Sequence, residues 1–357
     1  MIDKSFWIDK KVFLTGHTGF KGSWLSIWLN KLGAQVCGYA LEPNTEPSLF
    51  KQANVDNLME SIIGDIRDLE YLKQMIIEFQ PDIIIHLAAQ PIVRESYANP
   101  VDTYAINVMG TVNLLEAARE CDSIKAIVNV TTDKVYENKE WVKGYRETDR
   151  LGGYDPYSNS KTCSEFITSS YINSFFNPNL YAQHGVAIAT ARAGNVIGGG
   201  DWAKDRLIPD IFRALENNRD IEIRNPNAVR PWQHVLEPLA GYMMLCEKLY
   251  KDGSKWTGAW NFGPVISETK DVMYIVEYIK NASSGFVEYK IQEGDQVHET
   301  NLLNLDCTKS VELLKWQPKW NIEQTLMNII NWHESVNSGK QAYEMCLEQI
   351  EEYMNEG

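Results

Sequence analysis

Two groups of reactive side chains in this sequence suggest proton-transfer chemistry. Thr132-Asp133-Lys134 follows an apolar run, and further along the chain Tyr157 is followed four residues later by Lys161. That spacing places Tyr157 and Lys161 on one face of a helix. A phenol with a pKa of about 10 is a poor base at neutral pH, but a nearby ammonium group favours the phenolate. The pair therefore predicts a tyrosine base, with Thr132 placed to hydrogen-bond a substrate hydroxyl.

A glycine loop near the N-terminus predicts a dinucleotide-binding site in the same protein. Gly16, Gly19 and Gly22 follow a short apolar run at 12–14 and lead into an apolar helix predicted over 24–32. A strand, a glycine turn and a helix form the first unit of a dinucleotide-binding fold. Gly16 permits the tight turn, Gly19 lets the backbone approach a pyrophosphate, and Gly22 allows the helix to pack closely on the strand. The N–H groups of the helix start would then face the diphosphate.

Further candidate cofactor contacts lie at the ends of later strands. Asp65 follows the third predicted strand, where its carboxylate could accept a hydrogen bond from an adenine amino group. Ala88 and Ala89 follow the fourth, where small side chains suit close passage of a cofactor over the sheet edge. A positively charged nicotinamide would also favour the Tyr157 phenolate. The candidate cofactor residues are Gly16, His17, Thr18, Gly19, Phe20, Gly22, Asp65, Ile66, Leu87, Ala88, Ala89, Tyr157 and Lys161.

The elements that position these residues alternate between strand and helix. Predicted strands cover 12–14, 35–40, 61–64, 82–87, 124–131 and 186–191, and predicted helices cover 24–32, 69–79, 97–120 with a break near Pro100, and 157–176. The run 82–87 is apolar on both faces, as in a parallel sheet covered by helices on both sides. The pattern predicts an α/β fold, a doubly wound parallel sheet of the Rossmann type.

The second half of the chain breaks this alternation and predicts a smaller, interleaved α/β substrate-binding lobe. Helices are expected over 209–217, 235–250, 268–282, 309–314, 322–336 and 341–353, a strand over 260–262, and an irregular stretch over 225–232. We expect a dinucleotide-binding domain formed by 1–191 plus about 235–262. The other lobe would comprise about 192–234 plus 263–357 and hold the substrate.

Composition limits the class of protein. The 357 residues carry a formal net charge of −14, which argues against nucleic-acid binding. No apolar run approaches the length of a membrane helix, and the polar start of the chain does not resemble a signal peptide. The scattered cysteines include no C-x-x-C motif and read as reduced thiols. We expect a cytoplasmic protein that contacts no membrane, and the sequence predicts no metal site.

Several motifs together resemble the extended short-chain dehydrogenase/reductase family and, within it, the nucleotide-sugar 4,6-dehydratases. They are Thr-Gly-x-x-Gly-x-x-Gly from Thr15, His-Leu-Ala-Ala from His86, Thr-Asp-x-Val-Tyr from Thr132, Tyr-x-x-x-Lys from Tyr157, and the segments 191–202, 206–210, 230–234 and 305–307. The resemblance covers about residues 7–332. It implies a lyase that dehydrates CDP-D-glucose through an internal NAD redox cycle, for synthesis of deoxysugars in O-antigen-type polysaccharides.

The resemblance also implies roles for single residues. Tyr157 would take the C4 hydroxyl proton, Asp133 would protonate the departing C6 hydroxyl, and Lys134 would remove the C5 proton or stabilise the enolate. Arginine forks suit a diphosphate. The candidate substrate-binding residues are Gln90, Arg94, Asn195, Arg206, Arg230 and His298. NAD is expected on family grounds, whereas His17 and Lys21 in the glycine loop would also accommodate the 2′-phosphate of NADP.

Two alternatives remain open at this point. A dehydratase or 4-epimerase of another nucleotide sugar would share most of these motifs, but an epimerase has no use for an acid such as Asp133. A cofactor-binding regulator without activity would not need Thr132, Tyr157 and Lys161 intact. The predicted helices 97–120 and 157–176 carry apolar residues on more than one face. In resembling proteins such a pair builds an intersubunit four-helix bundle, so we expect a homodimer or homotetramer.

Overall fold

A parallel sheet of seven strands forms the centre of the computed structural model, which describes residues 1–283, 288–291 and 302–356. The strands of this sheet and of three small two-stranded sheets are β1 Lys11–Thr15, β2 Gln35–Ala40, β3 Glu60–Ile63, β4 Ile83–His86, β5 Ala126–Val130, β6 Ala187–Ala193, β7 Val196–Ile197, β8 Ile221–Ile223, β9 Val229–Arg230, β10 Gln233–His234, β11 Gly258–Phe262, β12 Lys270–Asp271 and β13 Tyr289–Ile291. The order in the large sheet is β11-β6-β5-β4-β1-β2-β3. All neighbours are parallel, and the order in which successive strands are added to the sheet reverses between β1 and β4. The predicted doubly wound Rossmann sheet is therefore confirmed.

Helices cover both faces of this sheet. They are α1 Phe20–Lys31, α2 Leu49–Gln52, α3 Leu69–Phe79, α4 Val93–Ala98, α5 Pro100–Tyr104, α6 Gly110–Ala118, α7 Pro156–Ser174, α8 Tyr181–His184, α9 Leu207–Glu216, α10 Leu236–Asp252, α11 Val272–Ala282, α12 Ile322–Asn337 and α13 Ala342–Asn355. The side chains of β4 alternate between two cores: Ile83 and Ile85 pack in one with α1 and α10, and Ile84 packs in the other with α3 and α6. This arrangement explains why the strand is apolar on both faces.

The predicted break in the helix after the fourth strand is present. α4 ends at Ala98, and α5 begins at Pro100. Proline has no backbone N–H, so it interrupts a continuous helix but is accepted at the first position of a new one. The helix then continues through a π-helical turn, Ala105–Met109, into α6. The start of α4 at Val93 lies before the predicted start at residue 97.

Two other helix starts differ from the sequence expectation for local reasons. α1 begins at Phe20 instead of residue 24, because the glycine loop enters the helix before Gly22. α11 begins at Val272 instead of residue 268, since the Asp271 side chain accepts a hydrogen bond from the backbone N of Tyr274 and caps the helix there. The stretch 225–232, expected to be irregular, contains the short strand β9, which pairs with β12.

The chain after β6 builds a second hydrophobic core and also returns to the first. α9, β8, α11 and α12 share a cluster that includes Ile211, Ile223, Ile279 and Leu326. The last helix, α13, packs on α1, where the rings of Trp28 and Tyr353 lie 5.7 Å apart. Among the residues that the structure describes, no helix is both long and apolar enough to cross a membrane.

Candidate active site

The two predicted reactive groups meet at the carboxyl ends of the central strands. β5 ends at Val130 and leads through Thr131 and Thr132 into a tight turn, Asp133–Val135. α7 starts beside it, with Asp155 accepting a hydrogen bond of 2.9 Å from the backbone N of Ser158 as its cap. The cap fixes the first turn of α7, so Tyr157 is presented at the edge of the sheet where ligands bind in such folds.

A cavity of about 270 Å³ opens at this edge and brings the predicted residues together. Its walls come from the end of β5, the start of α7, the segment after β6, α9 and the region around β8 and β9. The predicted residues along it are Thr132, Asp133, Lys134, Tyr157, Arg94, Asn195, Arg206 and Arg230. Acid, base and cationic groups thus line one space large enough for part of a charged ligand.

Asp133 is buried with one carboxylate oxygen engaged and one without a partner. Thr132 Oγ1 donates to Oδ1 over 3.0 Å, while Oδ2 has no hydrogen-bond partner among the described residues. Gly194 lies so close that a Cβ built there would be 2.6 Å from Oδ2. Burial raises the pKa of Asp133, against the opposing charges of Lys134 and Arg230. The carboxyl group is therefore suited to carry a proton and donate it into the cavity.

Tyr157 and Lys161 occupy one face of α7, as their spacing predicted. Burial raises the pKa of Tyr157 to about 12, while interaction with the Thr132 hydroxyl and the charge of Arg206 oppose that rise. Lys161 Nζ donates a hydrogen bond of 3.0 Å to the Val130 carbonyl oxygen. Burial lowers the pKa of Lys161 to about 8, and Glu165 opposes this change. Tyr157 thus needs added positive charge in the site before it can act as a base near neutral pH.

Lys21, which the sequence would allow to accommodate a 2′-phosphate of NADP, lines the same cavity as Asp133 and Tyr157. Its ammonium lies 5.9 Å from the ring centre of Tyr242. Burial lowers the pKa of Lys21 to about 7, and the charges of Arg206 and Lys161 add to this effect. The sequence alone does not give this placement, because the direction of the Lys21 side chain depends on how α1 packs on the sheet.

The cationic residues of the cavity are held by carboxylates that sequence reasoning missed. Arg206 NH1 lies 3.2 Å from Oδ2 of the buried Asp201. Arg224 lies 2.8 Å from Asp205, which is also 3.9 Å from Arg94. Such pairs fix the arginine forks in place, which suits recognition of a diphosphate. The sequence around Asp201 carries no local signal for the first pair.

One predicted substrate contact, Gln90, lies outside the cavity, and another is not among the described residues. Gln90 does not appear among the cavity residues: its Nε2 donates to Thr103 Oγ1 over 2.8 Å and its Oε1 accepts from the Ile92 backbone. His298 lies outside the described residues. Asn195 and Arg230 both line the cavity, and Arg230 is buried to 8% exposure.

The glycine loop fits a dinucleotide. Gly16 has a φ of +78° and passes over the end of β4, where an added Cβ would lie 2.7 Å from the Ala88 backbone N. Gly19 is exposed, and within the described part of the chain no side chain caps the start of α1. The first N–H groups of α1 are therefore left for an anionic group such as a pyrophosphate.

Other predicted cofactor residues are placed around this loop. Thr18 Oγ1 donates to the Leu41 carbonyl oxygen at the end of β2. The His17 ring turns inward, 2.8 Å from Ser61 Oγ, and burial lowers its pKa to about 4. Asp65 lies just after β3, where Arg67 NH2 is 2.6 Å from its carboxylate. Phe20, Ile66, Leu87, Ala88 and Ala89 lie at the ends of the same elements.

Comparison with known proteins agrees with this geometry. A sequence profile of the GDP-mannose 4,6 dehydratase family matches residues 13–329. The chain is 53% identical over 355 residues to a CDP-glucose 4,6-dehydratase of Salmonella typhimurium, with 99% of each chain covered. It is 25% identical to a CDP-paratose 2-epimerase of Salmonella typhi, covering 91% of this chain and 100% of the relative.

Solved structures share the fold at lower identity. A dTDP-glucose 4,6-dehydratase of Bacillus anthracis in complex with NAD has a TM-score of 0.72 and 22% identity, covering 94% of this chain and 99% of that one. A UDP-glucose 4-epimerase of Thermotoga maritima with UDP-glucose has a TM-score of 0.76 and 20% identity, covering 92% and 99%.

Proposed function

The chain belongs to the GDP-mannose 4,6 dehydratase family, and we propose that it converts CDP-D-glucose into CDP-4-dehydro-6-deoxy-D-glucose and water. The observation that carries the proposal is one cavity lined by Thr132, Asp133, Lys134 and Tyr157. The CDP-glucose 4,6-dehydratase of Salmonella typhimurium, 53% identical along nearly the whole chain, supports the choice of substrate.

NAD is the proposed cofactor, held by the glycine loop, the ends of β3 and β4, and Lys161. The uncapped start of α1 would take its pyrophosphate, and the carboxylate of Asp65 would lie toward its adenosine half. NAD held there would supply the hydride chemistry of the cycle, oxidation at C4 of the hexose and reduction at C6. The 2′-phosphate of NADP would lie near the end of β2. Lys21 lines the cavity with Asp133 instead, so it gives no support to NADP as the cofactor.

Tyr157 removes the proton of the C4 hydroxyl, and Thr132 hydrogen-bonds the same oxygen. The Tyr157 pKa of about 12 must fall for this step, and the ammonium of Lys161, one helical turn away, favours the phenolate. When the hydride returns to C6, Tyr157 gives its proton to C5, and the proton that Lys134 took from C5 passes to Asp133, so all three groups are restored. The tyrosine therefore acts as base and then as acid within one cycle.

Asp133 and Lys134 carry out the loss of water. The C4 ketone makes the C5 proton acidic, and Lys134 is the proposed base that removes it. Asp133 then protonates the departing C6 hydroxyl, for which its buried, partnerless Oδ2 and raised pKa suit it. Lys134 is half-buried and lines the cavity directly after Asp133, so acid and base act on neighbouring substrate atoms.

The nucleotide end of the substrate is proposed to lie against Arg94, Asn195, Arg206 and Arg230. The Asp201 carboxylate holds Arg206 in place, which favours a fixed fork for the diphosphate. We assign Asn195, Arg206 and Arg230 to a nucleotide-sugar lobe of about 192–234 plus 263–357, whereas Arg94 belongs to the dinucleotide-binding domain of 1–191 plus about 235–262. His298 remains a proposed contact of that lobe.

A dehydratase or a 4-epimerase of another nucleotide sugar is the rival reading. An epimerase needs no acid at C6, so the presence of Asp133 in the cavity favours dehydration. Turnover assays with CDP-, dTDP- and GDP-sugars test the proposal, because 4-keto products are readily detected in base. We expect product from CDP-glucose at a rate well above the others. Absence of a 4-keto product from every sugar would favour a regulator without activity.

We also propose a homodimer or homotetramer. Val101 on α5, Met109 in the following turn and Phe166 on α7 are large apolar side chains with exposures of 80%, 51% and 57%. Helices α5, α6 and α7 are neighbours, so these side chains could be buried by a second copy. Light scattering tests this, and a mass equal to the 40.8 kDa monomer at micromolar concentration would contradict it.

The cellular setting is part of the proposal as well. All six cysteines are free thiols, which supports a reducing compartment such as the cytoplasm. The net charge of −14 gives no basis for binding nucleic acid or an anionic membrane surface. A 4-keto-6-deoxy product suits synthesis of deoxysugars for O-antigen-type polysaccharides.

A further inference from the structure

Glu165 continues the catalytic face of α7 below Tyr157 and Lys161. It lies four residues after Lys161 and eight after Tyr157, so the helical period places all three on one side. Glu165 is 5% exposed, and Lys161 is 4% exposed. A buried carboxylate in this position needs partners, and it has them.

Both oxygens of Glu165 are fully engaged. Oε1 accepts from Thr131 Oγ1 over 2.5 Å, and Oε2 accepts from Thr190 Oγ1 over 2.7 Å. Arg192 adds a two-pronged contact, with Nε 2.9 Å from Oε1 and NH2 2.9 Å from Oε2. Thr131 directly precedes Thr132, so the contact with Glu165 ties the β5 end of the active site to the helix that carries Tyr157.

The network continues beyond the arginine. Arg192 NH1 donates to Tyr136 Oη over 2.8 Å, and Tyr136 Oη donates to Asn261 Oδ1 over 2.7 Å. Tyr136 closes the turn after Lys134, and Asn261 belongs to β11. The segment 131–136, which carries three proposed catalytic residues, is thus fixed at both ends by this chain of bonds.

The charges around Lys161 make Glu165 the anion that matters for it. Glu165 and Tyr157 share its face of α7. Lys161 also interacts electrostatically with Lys21 on α1 and with His86 on β4, whose pKa burial lowers to about 3. Arg192 on β6 lies beyond Glu165. Burial lowers the pKa of Lys161 to about 8, and Glu165 is the charge that opposes it.

We propose that Glu165 is a positioning residue of this active site: it keeps Lys161 charged and fixes the Thr131–Thr132 segment against α7. The inference rests on the proposed function for the roles of Thr132, Tyr157 and Lys161. A purely structural reading would give Glu165 one role only, as the partner of Arg192.

Charge-changing variants separate the two readings. Glu165→Gln removes the negative charge but leaves Arg192 buried without a partner, which threatens folding. Glu165→Gln combined with Arg192→Met removes both charges and should fold. Arg192→Met alone is the matched control, because it keeps the carboxylate and removes the cation beside it.

Two readouts are compared: the alkaline limb of kcat/KM with CDP-glucose, and the titration of Lys161 followed by the chemical shift of its ¹³C-labelled Cε. The Cε signal is assigned by its loss in Lys161→Arg. We expect both to move down by about one pH unit in Glu165→Gln, to move down by less in the double variant because loss of the Arg192 charge offsets part of the change, and to move up in Arg192→Met. The Cε titration needs no turnover, so it remains decisive even if the substrate is a different nucleotide sugar.

Three results would overturn the proposal. The first is an unchanged Lys161 titration in the folded double variant. The second is a Lys161 titration that moves down in Arg192→Met as well. The third applies if neither glutamine variant folds, and is a Lys161 titration that does not move in Arg192→Met. The hydrogen bond is tested separately with Thr131→Val, which should lower kcat about tenfold without moving the alkaline limb. A wild-type kcat in that variant would remove the positioning of Thr132 from the claim.

Discussion

Thr132 donates a hydrogen bond of 3.0 Å to one carboxylate oxygen of Asp133, and the other oxygen has no partner among the described residues. The hydroxyl therefore orients the carboxyl group, and the buried Oδ2 packs closely against Gly194. Burial raises the pKa of Asp133 and so favours the protonated form, although the hydrogen bond from Thr132 opposes this rise. This relationship underlies the assignment of Asp133 as the acid that releases water.

Asp133→Asn should abolish this acid without changing its shape. The amide can keep the contact with Thr132 but has no proton of suitable acidity, so we expect dehydration to fall by about 10²- to 10⁴-fold. The measurement is product formation from CDP-glucose at saturating substrate. CDP-6-deoxy-6-fluoroglucose is the matched probe, because fluoride leaves without a proton. If Asp133→Asn slowed elimination from this substrate, relative to the wild type, as much as it slows elimination from CDP-glucose, the acid role would be contradicted.

Gly194→Ala should damage the site by contact alone. A Cβ there would lie 2.6 Å from Asp133 Oδ2 and 2.7 Å from Pro231, so the carboxyl group must shift. We expect kcat to fall by at least about tenfold while the fold is retained. Gly263→Ala is the control, since its nearest contacts would be at an ordinary 3.5 Å. Equal activity of the two variants would show that the position of Asp133 is not critical.

Lys134→Met tests the base that removes the C5 proton. The methionine side chain has a similar length but cannot accept a proton. In heavy water we expect the variant to lose deuterium incorporation at C5 while oxidation at C4 still occurs. Exchange at C5 at the wild-type rate would show that another group is the base, and that Lys134 at most stabilises the enolate.

Stability should fall as the pH drops below about 6.5, because several histidines are buried in neutral form. Burial lowers the pKa of His17 to about 4 and those of His86, His234 and His333 to about 3. The unfolded chain binds protons at these rings below about pH 6.5, whereas the folded chain does not until the lower values are reached. At about pH 5 this difference costs about 2 kcal/mol of unfolding free energy for each histidine.

Replacing one of these rings isolates the effect. His333 stacks on Phe212 with ring centres 3.7 Å apart, so His333→Phe keeps an aromatic ring in place. The free energy of unfolding is measured with urea for the variant and the wild type near pH 7 and near pH 5. Its decrease between the two pH values should be smaller by about 2 kcal/mol in the variant. An identical loss in both proteins would mean that His333 does not contribute to the pH dependence.

Local patterns were enough to predict the sheet and the catalytic face of α7. The apolar run of β4, the glycine loop and the spacing of Tyr157 and Lys161 each follow from residues close together in sequence. Short strands such as β9 escaped prediction because two residues carry no periodicity. The start of α11 was misplaced because the cap at Asp271 decides it, not the apolar pattern.

Contacts between distant residues were beyond reach of the sequence. Nothing local indicates that Gly194 lies against Asp133, that Asp201 holds Arg206, or that Glu165 meets Arg192. Each contact joins segments that become neighbours only when the strands align at the sheet edge. Lys21 was placed near a phosphate for the same reason, since its direction depends on the packing of α1.

Transfer of deuterium from C4 to C6 of the same sugar tests the central claim most directly. CDP-glucose labelled with deuterium at C4 is incubated with the protein, and the product is examined by NMR, with Tyr157→Phe as the control. We expect CDP-4-dehydro-6-deoxyglucose with deuterium at C6, and a rate lower by at least about 10²-fold in the control. Recovery of unchanged CDP-glucose, of a C4 epimer, or of product without deuterium at C6 would contradict that claim.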